Sequence, residues 1–233
     1  MVVTALPGCV QPTSNSTRAM KKITLTIDSV TVKADEGASV LQAALDNDIY
    51  IPHLCFHIEL PGQGACRLCM VETGNGRMVT ACRTPVEPGM VVTTKSPQID
   101  RAIRPVAEML IANHHATCRG CPSSGKCELQ KLMAHLRIDR KRIRRLWPPT
   151  EELPLDTSPP CFDYDPNKCI LCGICVETCT QLHGHSSLRF MNRGSDTVIA
   201  FFGDEARCTS CMECTRRCPV GVLMPKQTEN HQD

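Results

Sequence analysis

Four cysteines in the last third of the chain, Cys169, Cys172, Cys175 and Cys179, recur as Cys208, Cys211, Cys214 and Cys218, at a constant offset of 39 residues. Each copy reads C-x2-C-x2-C-x3-C; the second runs on into Pro219, whereas the first is followed by Thr180. Three thiolates at this spacing can wrap one face of a [4Fe–4S] cubane, and the fourth reaches the neighbouring cluster. The expected ligand sets therefore cross: Cys169, Cys172 and Cys175 with Cys218, and Cys208, Cys211 and Cys214 with Cys179. Two clusters held this way lie close together, which suits electron hopping. Zinc usually takes its ligands as two separated pairs, and a duplicated run of three fits that plan poorly.

Two further constellations lie upstream. Cys55, Cys66, Cys69 and Cys82 keep the central C-x2-C and the distant fourth cysteine of plant-type [2Fe–2S] sites, with a longer first gap. Gly62 and Gly64 in that gap would let backbone N–H groups approach the sulfurs. A zinc ribbon on Cys66 and Cys69 would need a second close pair, which Cys55 and Cys82 do not make. The third group is His114 or His115 with Cys118, Cys121 and Cys127. It suits one [4Fe–4S] cluster with a histidine as fourth ligand, and spacing alone also allows a zinc site of three cysteines and one histidine. These groups use 15 of the 17 cysteines. Cys9 and Cys161 are left over and read as free thiols, one in a tail and one in a linker.

Composition agrees with metal-stapled folding. Aromatic residues are 3% of the chain, too few for one large core, and small domains with thin cores need staples. Net charge is +2, so nothing global points to nucleic acid or a membrane surface. No apolar run is long enough to span a bilayer. Residues 1–20 lack the basic-then-apolar plan of a secretory signal, which points to the cytoplasm, where clustered cysteines hold metal more often than disulfides.

Alternating apolar residues at 20–33 predict a hairpin turning at Asp28-Ser29, followed by a helix over 38–48 and strands at 68–73, 77–82 and 90–94. The expected fold class is α+β. Ser96-Pro97 starts a helix with Ile99, Ile103, Val106 and Leu110 on one face and a kink at Pro105. Residues 128–137 resume helical character, and 146–166 hold six prolines in what reads as an extended linker. The expected division is an N-terminal extension at 1–19, a [2Fe–2S] domain at 20–97, a small helical [4Fe–4S] domain at 98–146, a Pro-rich linker at 147–160, a two-[4Fe–4S] ferredoxin-like domain at 161–225 and a tail at 226–233. The basic stretch 137–145 has six positive residues among nine; it reads as a solvated face, or more sharply as a dock for an acidic partner. No nucleotide-binding glycine fingerprint or acid–base constellation is present.

The order of motifs, a [2Fe–2S] set, then HHATCRGCPSSGKCELQ, then CILCGICVETC and CTSCMECTRRCP, resembles the N-terminal iron–sulfur region shared by the large iron–sulfur subunit of respiratory complex I, [FeFe]-hydrogenases and some formate dehydrogenases. In length it is most similar to the small iron–sulfur diaphorase subunit of soluble NAD(P)-linked [NiFe]-hydrogenases. The resemblance covers residues 20–222. It implies a β-grasp first domain, and it implies that His114 rather than His115 is the ligand. It also implies four clusters, one [2Fe–2S] and three [4Fe–4S], relaying electrons between a flavin/NAD(P) diaphorase subunit and a hydrogenase catalytic subunit. The equivalent subunit of a formate dehydrogenase or of an electron-bifurcating complex is the alternative, and a zinc-stapled structural protein a remote one.

Overall fold

The computed structural model describes residues 21–115, 118–146, 152–203, 208 and 211–226. These divide between two compact units, Thr17–Glu152 and Leu153–Asp233. Cys9 lies outside the described residues.

The first unit opens with β1 (Lys22–Ile27) and β2 (Val30–Asp35), paired antiparallel. Ile23, Leu25 and Ile27 alternate inward and are buried, as a strand with one face on a core requires. The turn falls at Asp28 and Ser29, both at positive φ, the backbone that a two-residue hairpin loop demands. Asp28 tolerates this conformation, and its carboxylate also accepts from the Thr94 N–H at 2.7 Å and from the Thr94 hydroxyl. Helix α1 (Val40–Leu45) is capped by the Ser39 hydroxyl, which accepts from the Gln42 N–H at 3.1 Å.

Strands β3 (Met70–Thr73), β4 (Met78–Thr80) and β5 (Val91–Thr93) complete a five-stranded mixed sheet in the order β2-β1-β5-β3-β4. Only β1 and β5 run parallel within it. Val40, Leu41, Ala43 and Ala44 of α1 share one apolar core with the sheet. This is the expected β-grasp, mixed α/β arrangement.

Helix α2 (Pro97–Ala112) starts at Ser96, whose hydroxyl accepts from the Ile99 N–H at 3.2 Å. It runs through Pro105, which sits on an exposed position. Its buried stripe is Ile99, Ile103, Ala107 and Ile111; Val106 and Leu110 are only half-buried. Helix α3 (Glu128–Leu136) follows the Cys118–Cys127 loop, and α4 (Arg140–Leu146) then packs on α2. The basic stretch is therefore a helix, with Ile143 buried.

In the second unit, β6 (Phe162–Tyr164) pairs antiparallel with β9 (Leu223–Pro225), and β7 (Leu188–Met191) with β8 (Val198–Phe201). Helix α5 (Ile174–His183) and helix α6 (Glu213–Arg216) pack together. Each holds part of one copy of the repeat, Cys175 and Cys179 on α5 and Cys214 on α6. Their N-caps, Gly173 and Met212, are equivalent positions and share the left-handed conformation, φ 78° and 54°. The proline-rich stretch does not all stand apart as a linker. Leu153 exchanges two hydrogen bonds with the Asn167 side chain, and Asp156 bridges Tyr164.

Candidate iron–sulfur centres

Loop 54–69 gathers the first cysteine set. Cys55, Cys69 and Cys82 are buried and Cys66 half-buried. The sulfurs pair two and two: Cys55 Sγ lies 3.3 Å from Cys66 Sγ, and Cys69 is hydrogen-bonded to Cys82. Two irons with two protein ligands each ask for such pairs. A cage of backbone N–H groups points at them. Cys55 sulfur receives the Cys66 and Ala65 N–H groups, Cys66 those of Leu68, Leu54 and Cys55, and Cys69 that of Cys82.

Gly64, at φ +66°, donates its N–H to Cys82 sulfur, as expected of it. Gly62 serves differently: a Cβ there would lie 2.1 Å from the Cys82 carbonyl oxygen, so only glycine permits this approach. Within each pair the shared hydrogen bond, the largest influence, splits the thiols. Cys66 and Cys82 are pulled down, and Cys55 and Cys69 pushed up.

Cys118, Cys121 and Cys127 lie close enough to influence one another, although burial is the main reason that the Cys127 thiol is pushed up. Cys127 is the N-cap of α3, and its sulfur receives the Leu129 and Gln130 N–H groups. The helix end thereby favours a thiolate. His114 is buried; His115 is half-buried, with an Nδ1 that has no hydrogen-bond partner.

Helix α4 supplies what sequence reading missed here. The Arg140 guanidinium donates to Cys118 Sγ at 3.2 Å and to the His114 carbonyl at 3.3 Å, and Arg144 donates to the His115 carbonyl at 3.2 Å. The expected solvated face is thus corrected at these two positions. A helix of seven residues that buries Ile143 must turn part of its flank inward, and its arginines meet loop carbonyls and a sulfur there.

The repeat cysteines surround two cavities. Cys169, Cys172, Cys175 and Cys218 line one, with Tyr164, Ile199, Val222 and Leu223 among its walls. Cys179, Cys208, Cys211 and Cys214 line the other, against Phe162 and Leu188. The fourth cysteine of each run stands with the first three of the other copy. Backbone N–H groups again point at sulfur: Leu171 at Cys169, Ser187 at Cys179 and Val222 at Cys218. Burial pushes the Cys208 and Cys214 thiols up to about 12.

The donor set fits cubanes, because sulfurs with low water access and N–H partners are what such clusters bind. Thr178 adds to the fit. It is buried against the second cavity, and its hydroxyl has no partner, whereas Thr180 on the same helix bonds the Val176 carbonyl. Such an orphaned donor is costly unless something in the cavity accepts it. Among the described residues no three His, Cys, Asp or Glu side chains converge on a single-ion site.

Cys161 is not a linker thiol, contrary to expectation. It is 6% exposed and hydrogen-bonded to Cys208. The pairing of β6 with β9 draws it in, its carbonyl accepting from the Lys226 N–H at 2.9 Å. Tyr164 likewise stands beside Cys169, in the wall of the same cavity. Sequence spacing carries no signal for either contact.

These centres define an iron–sulfur protein, and comparison with known proteins agrees along the chain. Residues 20–97 match a 2Fe-2S iron-sulfur cluster binding domain, 104–142 the NADH-ubiquinone oxidoreductase-G iron-sulfur binding region, and 168–222 a 4Fe-4S dicluster domain. All three are iron–sulfur families, which sets the zinc alternatives aside. A chain of the NAD+-reducing [NiFe]-hydrogenase, solved in the H2-reduced state, is 34% identical with a TM-score of 0.74, and the match covers 91% of this chain and 90% of that one.

The NADPH-Fe(3+) oxidoreductase subunit alpha of Geobacter sulfurreducens is 34% identical over 88% of this chain and 24% of its own length. The NADP-reducing hydrogenase subunit HndD of Solidesulfovibrio fructosivorans is 34% identical over 88% of this chain and 36% of its own length. The chain thus spans about a quarter to a third of the curated relatives it matches. The chain belongs to the family of iron–sulfur domains shared by the NADH-ubiquinone oxidoreductase-G proteins and the NAD-reducing hydrogenases. No described helix is long and apolar enough to cross a membrane.

Proposed function

We propose that this chain is an iron–sulfur electron-transfer subunit that carries one [2Fe–2S] and three [4Fe–4S] clusters. It relays electrons between a flavin/NAD(P) diaphorase subunit and a hydrogenase-type catalytic subunit, in the cytoplasm. The observation that carries the reading is the crossed gathering of the repeat cysteines around two cavities. Crossed ligation keeps two cubanes near each other, and nearness is what electron hopping requires. The likeness to an NADP-reducing and an NAD+-reducing hydrogenase supports the choice of partners.

In this reading the [2Fe–2S] ligands are Cys55, Cys66, Cys69 and Cys82. The first cubane takes Cys169, Cys172, Cys175 and Cys218, and the second Cys179, Cys208, Cys211 and Cys214. The remaining cubane takes His114, Cys118, Cys121 and Cys127. A neutral imidazole in place of a thiolate removes negative charge and raises that cluster's potential. The clusters supply the one-electron chemistry. The chain holds them apart from water, fixes their spacing and tunes them through donors to sulfur. Electrons enter at the [2Fe–2S] end and leave at the repeat end.

The test uses the whole complex. Cys66→Ser should stop reduction of the [4Fe–4S] clusters by NAD(P)H while dithionite still reduces them. Full reduction by NAD(P)H in that variant would defeat the assigned order, and identifying the co-purified catalytic subunit checks the partner.

A further inference from the structure

Strand β6 contributes no ligand, yet it touches a ligand sulfur of each cubane site. Cys161, the residue before it, lies against Cys208, and Tyr164 at its end shares the wall of the first cavity with Cys169. Both side chains are buried, 6% and 3% exposed. Both are held by the pairing of β6 with β9, which sets Phe162 opposite Pro225 and Tyr164 opposite Leu223. The same C-terminal segment is tied to the first cavity, because the Val222 N–H donates to Cys218 Sγ at 3.4 Å.

We infer that β6 and the residue before it form a tuning segment, in which Cys161 and Tyr164 donate hydrogen bonds to the ligand sulfurs of Cys208 and Cys169 and so raise the two cubane potentials separately. This deepens the proposed function and rests on its ligand assignment. A cysteine bound to iron has lost its proton, so in the loaded protein the hydrogen between Cys161 and Cys208 comes from Cys161. Tyr164 is placed to donate strongly, since its oxygen accepts the Ile199 N–H at 3.3 Å, and accepting one bond polarises the O–H toward the next acceptor.

Reduction adds one electron to a cluster and increases the charge on its sulfurs. A donor fixed at sulfur stabilises that reduced form more than the oxidised one, and no proton is transferred. A hydroxyl is a stronger donor than a thiol, so the two effects differ in size.

The experiment is an EPR-monitored redox titration of the purified holoprotein. Tyr164→Phe should weaken the electron affinity of one [4Fe–4S] cluster by roughly tenfold, about 59 mV for one electron. Cys161→Ala should lower the other by a few-fold, with the first unmoved. Cys161→Ser, which keeps a donor, should restore or exceed the wild-type potential. Iron content stays at the wild-type level in all three. Unmoved midpoints at full iron content would overturn the inference. So would loss of one cluster from both Cys161 variants, because Cys161 would then be a ligand. A wild-type holoprotein without two [4Fe–4S] signals beyond that of the His-ligated cluster would instead strike the ligand assignment itself, and the inference with it.

Discussion

The [2Fe–2S] domain and the repeat unit solve the problem of a thin core in opposite ways. In the first, Ile23, Leu25, Ile27, Val40, Leu41, Val71 and Val92 close a core between sheet and helix, and Cys69 and Cys82 join its edge. In the second, the buried apolar residues Phe162, Leu188, Ile199, Val222 and Leu223 face the sulfur-lined cavities. One region has a fold that accepts a cluster; the other has clusters where a core would be. The lesson is that cysteine sets of the same family differ in how far the fold around them depends on metal.

The sharpest way to break this comparison is to remove the iron. In the chelator-stripped protein, kept reduced, hydrogen exchange should leave β1 and β2 protected while β6 and α5 exchange freely, because the apolar residues of the repeat unit pack around sulfur-lined cavities whose ligands the metal ties together. Equal protection in both regions would end the contrast.

A second test acts on the core alone. Leu25→Ala should cost about 2–5 kcal/mol in the unfolding of the first unit, with the [4Fe–4S] signals of the repeat unit unchanged. Denaturant titration followed by sheet ellipticity and by cluster absorbance separates the two.

The basic helix offers a smaller effect. Arg140→Met removes a positive donor from Cys118, and the cluster proposed at Cys118, Cys121 and Cys127 should lose about tenfold in electron affinity, about 59 mV, read by redox titration. Reversing the exposed Arg142 and Arg145 should leave that potential in place, since no bond from either reaches a sulfur.

The smallest lies within the repeat. Met212→Gly should stabilise the unit by about 1 kcal/mol, because a non-glycine residue is strained in the left-handed region, and Gly173→Ala should destabilise it by a similar amount. Thermal unfolding of the holoprotein checks both. Equal responses in sign would deny that the two copies share one backbone.

Much of this was legible beforehand. The hairpin at Asp28-Ser29 and the Ser96 cap were readable because their causes are local, a turn that needs positive φ and a hydroxyl that meets its own helix. The crossed cysteine sets were readable because the constant offset repeats one backbone twice. Cys161 was misread for the opposite reason. Its place depends on β9, more than sixty residues later in the chain, and no local pattern announces that pairing. Arg140 was misread because charge composition describes a stretch, whereas the burial of Ile143 decides which way each arginine turns.

Residue type and spacing along the chain fix which residues can bind iron and in what order, since ligand chemistry is written in neighbouring positions. The tertiary structure alone decided which uncharged donors and which arginine reach the sulfurs. Those contacts form between segments distant in sequence, and their strength depends on a few tenths of an ångström that only packing sets.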